Sequence, residues 1–299
     1  MAAMPETSWH EFHAEAHVLS GHLQRPVEQK IERHAPVALK DRKGGHLTRF
    51  TEDVNIEGLV SFKRGRTRVS GSQSAKDDPK NHGWVTVATS ILEGLNVFEL
   101  ITADRIVAQV STDHPLVNGH FPHVTFLGTQ FNNLQVNGVP ITLTLNLGIC
   151  GQRPKDDTSY LSDRGFLGRA KEQTEKVAKT DGLPKDLQTE YANRLTAINN
   201  LIKGGNKSRE AKVTCSIVKS INNLDEIPIP GIRAVGHVLI IPDFGTVSLG
   251  EVEVSEVFYE GSEKPSNSFD LTMLKMNLGC VGHGTVSGAS AKSNGQGYP

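Results

Sequence analysis

Apolar and polar residues alternate from residue 12 to 18, with Phe12, Ala14, Ala16 and Val18 set against His13, Glu15 and His17. That is the period of a half-buried strand. Residues 27–39 read as a further extended piece, and Pro36 inside it points to an edge or a bend. A loop at 40–45 follows. Residues 54–69 carry a hairpin pattern, with Ile56, Val60 and Phe62 in one arm, Arg64-Gly65 at the turn, and Thr67 and Val69 in the other. Residues 70–82 are polar and rich in turn formers. The strongest β signal runs from Trp84 to Thr112, with a break at Glu93-Gly94, and residues 95–101 fit either a strand or one helical turn. A loop at 113–122 leads into residues 124–131. A hairpin is then predicted around Asn137-Gly138, a dipeptide suited to the positive φ angles of a type I′ turn.

The pattern changes between Leu161 and Lys203. Phe166, Leu167 and Ala170 begin one short helix, and Leu187, Tyr191, Leu195, Ile198 and Ile202 recur at helical spacing along a second. Pro184 suits the first turn of that helix and Gly204-Gly205 its C-terminal stop. The prediction is an αα-hairpin whose apolar stripe packs on the β body. Strand patterning resumes at Val213, with pieces at 235–241, 245–249, 252–258 and 269–278. The tail, 283–299, is Gly- and Ser-rich with Val286 as its one large aliphatic residue, and it reads as flexible unless a neighbouring chain orders it.

Two strings, Leu143 to Gly151 and Leu274 to Gly282, both close on Asn-Leu-Gly, and aligning Val107–Val110 with Val235–Val238 brings them near register. This suggests one β unit used twice. The expected fold is mainly β: a sandwich or jelly-roll-like body with two related β units and an inserted αα-hairpin. Its expected organisation is a first β unit at 1–155, a helical hairpin at 156–211, a second β unit at 212–282 and a Gly/Ser-rich tail at 283–299.

Length and charge narrow the functional classes. The chain has 299 residues, with 32 Lys and Arg against 33 Asp and Glu, so no global field draws it to nucleic acid or to an anionic membrane. The three cysteines, Cys150, Cys215 and Cys280, are too scattered for a disulfide framework and read as small buried apolar groups. No stretch reaches the roughly 20 apolar residues of a membrane helix, and the N-terminus lacks a secretory signal pattern. The expectation is a soluble, cytoplasmic protein, with export of a processed form left open.

Two histidine groups are the candidate chemistry. One is N-terminal, His10, His13, His17 and His22 with Glu11 and Glu15. The other, Asp113, His114, His120 and His123, lies in a loop. Imidazoles suit a divalent transition metal such as zinc, so His13, His17, His114, His120 and His123 are the candidate ligands. A solvated polar strand face is the simpler explanation of the first group. Glu251 and Glu253 share a strand face, as the two carboxylates of a glycosidase would, but two exposed acids are ordinarily a solvated face. The run Lys63-Arg64-Gly65-Arg66-Thr67-Arg68 fits an exposed hairpin. No nucleophile elbow, phosphate loop or dinucleotide fingerprint is present.

The strings Ala88 to Asn96, Thr102 to Thr112 and Asn133 to Gly138 resemble uncharacterised bacterial β-rich proteins and are weakly similar to the choice-of-anchor P group. The resemblance covers residues 84–151 and 235–299, implies a β fold and carries over no catalytic residue. The leading expectation is a non-enzymatic structural or binding protein that self-associates into a homo-oligomer or larger assembly and has no cofactor. The alternative is a metal-binding protein or metal-dependent enzyme. Carbohydrate binding ranks lower, because the chain offers only two Trp and four Tyr as platforms.

Overall fold

The structure, a computed structural model, describes residues 9–74, 82–115, 120–155, 158–204, 211–258, 265–279, 284–294 and 296–298. Residues 1–8, Gly119, Gly205 and the end of the second Asn-Leu-Gly string, Cys280 to Gly282, lie outside the described residues. The alternating N-terminal pattern forms β1 (Trp9–Leu23), and β2 (Gln29–Ile31) and β3 (Val37–Asp41) both pair with it on either side of a bend. Four long strands follow as a meander: β4 (Gly45–Ile56), β5 (Val60–Gln73), β6 (His82–Val97) and β7 (Ile101–Pro115). Next come β8 (His123–Thr125), β9 (Gln130–Asn132), β10 (Gln135–Val136) and β11 (Val139–Pro140). Asn137 and Gly138 join the last two with φ of 51° and 76°, as the sequence predicts.

After β12 (Thr142–Leu145) the chain enters the helical hairpin, α1 (Arg164–Ala178) and α2 (Lys185–Ile202). Asp163 caps α1, its Oδ1 accepting from the Phe166 N–H at 2.5 Å. Pro184 precedes α2 and Gly204, at φ 73°, follows it, so both predicted punctuation marks are in place. The remaining strands are β13 (Lys212–Ser216), β14 (Val218–Asn222), β15 (Arg233–Val235), β16 (Val238–Ile241), β17 (Gly245–Val257), β18 (Ser266–Leu278), β19 (Gly284–Ser293) and β20 (Gln296–Tyr298).

The strands form two large antiparallel sheets stacked as a β sandwich. The larger sheet runs β15-β16-β17-β18-β19-β1-β2, with β13 alongside β17 and β3 and β20 alongside β1. The second runs β11-β10-β7-β6-β5-β4, with β8 and β9 on β7, while β12 and β14 make a two-stranded sheet of their own. The inner faces approach closely. A Cβ on Gly71 would sit 2.5 Å from the Phe12 ring, and one on Gly65 would sit 2.9 Å from Val18. Hydroxyls cross the gap as well: Ser90 Oγ donates to the His17 carbonyl at 2.8 Å, and the Thr112 and Ser293 hydroxyls are 2.6 Å apart. Satisfied in this way, polar groups are tolerated inside the core.

Each large sheet carries a seam. In β5 the buried positions are Val60 and Phe62, then Thr67 and Val69, and in β6 they are Ala88, Ser90 and Leu92, then Leu95 and Val97. The inward-facing parity therefore switches, and it does so at one row shared by Asp53, Lys63, Gly94 and Asp104 on four adjacent strands. The register on either side of that row is unbroken. One additional residue per strand at the same level bends the sheet without shifting its pairing, the collective counterpart of a β-bulge. The larger sheet repeats this at Gly250, Met273, Ala289 and Val18. In both seams alternate strands take positive φ: Asp53 at 49° and Gly94 at 66°, Gly250 at 60° and Ala289 at 51°.

The seams correct several expectations. Arg64-Gly65 lies inside β5 and the hairpin turn falls at Glu57 and Gly58, with φ of 52° and 70°. Glu93-Gly94 interrupts the pattern because it sits in the seam and not because β6 ends. The pieces 245–249 and 252–258 are one strand, β17, with Gly250 at its seam. Val235 and Val238 face each other across a two-residue reversal, whereas Val107 to Val110 lie inside β7, so that alignment sets a turn against a strand. The tail expected to be flexible supplies β19, hydrogen-bonded between β18 and β1.

The seam glycines give a graded prediction. Gly250→Ala puts a Cβ 2.6 Å from Ile217 Cγ1 in the core, whereas at Gly94 it meets the flexible Lys63 chain at 2.7 Å. Both place an L-residue in the left-handed region. By urea denaturation, Gly250→Ala should lose about 2–5 kcal/mol and Gly94→Ala about 1–2 kcal/mol. Equal losses would contradict the assignment.

Candidate functional site

β4 ends the second sheet, hydrogen-bonded to β5 on one side and, among the described residues, to nothing on the other. It is 12 residues long, has no proline, and is exposed along most of its length. Phe50 is 67% exposed and Leu47 45% exposed, and the two point to opposite faces. A long edge strand of this kind is a template for pairing with another chain.

The outer face beside that edge is concave and charged. Register sets Glu52, Arg64, Glu93 and Arg105 side by side across β4 to β7, with Arg64 4.0 Å from Glu52 and Arg105 3.6 Å from Glu93. Where the seam bends the sheet, a groove of about 470 Å³ opens between Glu52, Asp53, Lys63, Arg64, Glu93, Gly94 and Asp104. A second groove of about 310 Å³ continues past Phe50, Arg66 and Ile91, with the Arg66 guanidinium 5.3 Å from the centre of the Phe50 ring. The basic run of the sequence is thus interleaved with acids from neighbouring strands.

The histidines do not gather into one site. His13 Nε2 is 3.3 Å from Glu11, His17 Nε2 is 3.1 Å from Ser20 Oγ, and His120 Nε2 is 2.9 Å from the Pro265 carbonyl. His123 stands opposite Asp113 in the β7–β8 pairing. His114 reaches the N-terminal group, its ring 4.6 Å from that of His10, which is stacked on Trp84 at 5.3 Å. His10 is 2% exposed and neither of its nitrogens finds a hydrogen-bond partner among the described residues. Burial, followed by the nearby His13, lowers its pKa to about 3, and burial followed by Arg33 lowers that of His17 to about 4. Among the described residues no three His, Cys, Asp or Glu side chains are grouped to hold a metal ion.

A buried polar network joins α2 to the larger sheet. Glu251 shares its outward strand face with Glu253 as expected. It is buried, however, while Glu253 pairs with Lys212 at 2.9 Å. Arg194 reaches Glu251 at 2.8 Å and Glu190 at 2.5 Å, and Lys275 lies 3.5 Å from both acids. His237 is 3.7 Å from Glu251 and shares a 2.9 Å hydrogen bond with the Tyr191 hydroxyl. Burial alone would raise the Glu251 pKa, but His237, Arg194 and Lys275 outweigh it and hold the group well below the ordinary carboxylate range. Sequence reasoning misses this network because its members lie on α2, β17 and β18 and in the reversal between β15 and β16. The only local hint is the i, i+4 spacing of Glu190 and Arg194.

The profile of a family described as a domain of unknown function (DUF8256) matches residues 10–255. No curated protein and no solved structure matches the chain. The family match agrees with the resemblance to uncharacterised proteins, and none of these comparisons connects the chain to the choice-of-anchor P group.

Two outcomes follow from these groups. Arg194→Ala leaves Glu251 buried beside a weakened set of cations, and in a denaturant titration at neutral pH it should lose about 3–5 kcal/mol. The ionised Glu251 contributes stability above its unfolded pKa, and that contribution is lost as the pH falls. His10 and His17, buried and neutral, act in the same direction at higher pH. Their unfolded forms take up protons below about 6.5 while the folded forms resist until about 3 and about 4. Stability should therefore decline as the pH is lowered from about 6.5, by up to about 1.4 kcal/mol per unit per histidine. His10→Phe should flatten that slope, and an unchanged slope would contradict the burial of a neutral His10.

Proposed function

The chain belongs to the DUF8256 family of unknown function, and from that premise we propose that it is a non-enzymatic structural or binding protein that acts by pairing with a second copy of itself along β4. The observation that carries this reading is the long, proline-free β4 edge, unpaired on its outer side among the described residues, with Phe50 and Leu47 exposed on its two faces. Pairing would continue the second sheet into its copy and satisfy a row of backbone groups that water now solvates. Ahead of the seam at Asp53 the strand offers Gly45 to Glu52 as the pairing stretch, and a second copy laid along it would cover Phe50 on the outer face. Closed pairing of this kind uses the same patch on both copies, so it stops at a dimer unless another surface joins in.

The alternative, a divalent metal on histidine, retains one supporting observation, the buried His10 beside His114. Elemental analysis of untagged protein tests it, and stoichiometric metal would favour it.

Sedimentation velocity across micromolar to millimolar concentrations tests the edge pairing. The wild type should form dimers. Phe50→Lys, which replaces the exposed apolar side chain of the edge with a charge, should raise the dimer Kd by about tenfold or more. A wild type that stays monomeric throughout, or a dimer indifferent to Phe50→Lys, would overturn this assignment.

A further inference from the structure

The two cysteines in the described residues, distant in sequence, meet in the fold. Cys150 ends the turn that follows β12 and Cys215 lies in β13. Both are 2% exposed, both are free thiols, and their side chains are within hydrogen-bond reach of each other. The backbone around them is tied on three sides. The Asn146 N–H donates to the Ile217 carbonyl at 2.6 Å, beyond the Leu145 to Val218 pairing of β12 with β14. Arg169 on α1 donates through Nε to the Ile149 carbonyl at 2.7 Å and through Nη2 to the Cys150 carbonyl at 2.8 Å. One helical turn later, Gln173 donates to the Ser216 carbonyl at 2.9 Å and accepts from the Ser216 N–H at 2.8 Å. One face of α1 thus grips the main chain beside each cysteine. Gly151, at φ 77°, leaves the space that Arg169 occupies, since a Cβ there would strike its guanidinium.

We propose that Cys150 and Cys215 form a disulfide site that closes when the chain folds in the presence of a low-molecular-weight disulfide such as oxidised glutathione. The chemistry is two exchanges. One cysteine thiolate attacks a sulfur of the glutathione disulfide and releases one glutathione thiolate. The second cysteine then attacks the mixed disulfide and releases the other. Two protein thiols become one disulfide, and their two electrons and two protons leave with two molecules of reduced glutathione. The finished bond would close a loop containing the whole helical hairpin. Such a cross-link stabilises chiefly by restricting the unfolded chain, and more so for long loops.

Timing follows from burial. In the folded reduced protein the contact with Cys215 and the apolar surroundings hold the Cys150 thiol well above its ordinary pKa, so little thiolate is present to attack. Closure therefore belongs to folding, before α1 covers the pair. An oxidising compartment would yield the cross-linked form and a reducing one the dithiol.

Refolding from denaturant with reduced and oxidised glutathione, compared with refolding in dithiothreitol, tests the proposal by intact mass, thiol titration and non-reducing peptide mapping. The oxidised product should be lighter by two hydrogens, keep one free thiol, and contain a peptide linking Cys150 to Cys215. Its melting temperature should exceed that of the dithiol form by about 5 °C or more. Cys280→Ser should leave both the linkage and the difference intact, and Cys150→Ser should abolish both. Three free thiols after oxidative refolding, a linkage through Cys280, or a cross-linked form no more stable than the dithiol would each overturn it.

Discussion

The fold depends on a pairing between the two ends of the chain. β1 and β19 lie side by side in the larger sheet, and β1 faces β5 and β6 across the sandwich while β19 faces β6 and β7. Neither can be removed without opening the core, because Phe12, Val18, Leu19 and Leu23 on one and Val286, Ala289 and Ala291 on the other are all buried. The sandwich is therefore completed only when β19 is laid down beside β1. Pairings between residues so far apart in sequence carry a large loop-closure entropy and form late or slowly.

That pairing also explains why the strand in the tail is not legible in its sequence. Strand signals in a sequence rest on large β-branched and aromatic residues, and β19 has almost none. Its partners provide them instead. Gly288 lies against Leu92, Ser293 meets Thr112, and the inner faces approach so closely that small side chains fit where large ones would not. The helices, by contrast, were legible because Leu187, Tyr191 and Ile198 bury one stripe of α2 while its other face stays wet. The alternating pattern of β1 was legible for the same reason. Of the candidate site, exposed alternation in the basic run was readable. The free edge was not, since one strand's sequence does not say where its sheet stops. The Cys150 and Cys215 contact and the Arg194 and Glu251 pair needed three-dimensional proximity that spacing cannot supply.

The seams add a physical likeness between the two sheets. Four adjacent strands, β4 to β7, change facing at one row, and so do β17, β18, β19 and β1, with positive φ on alternate strands in both. The likeness connects the meander with a group that the N-terminal strand completes, a different correspondence from the one the Asn-Leu-Gly strings suggest. In the second sheet the bend also creates the charged groove beside β4. On the larger sheet the corresponding outer face lies partly under α2, where Arg194 meets Glu251. A buried ion pair of that kind adds little net stability, but it fixes how the hairpin sits. The larger sheet is thereby partly covered, and the second is left with an open outer face and the long β4 edge.

Hydrogen–deuterium exchange, measured on the same protein at dilute and at concentrated conditions, tests this account most directly. Exchange should be slow across β19 at both concentrations, despite its Gly and Ser content, and should slow across β4 only when copies can pair. Rapid exchange throughout residues 284–293, or β4 amides that exchange at the same rate at every concentration, would contradict it.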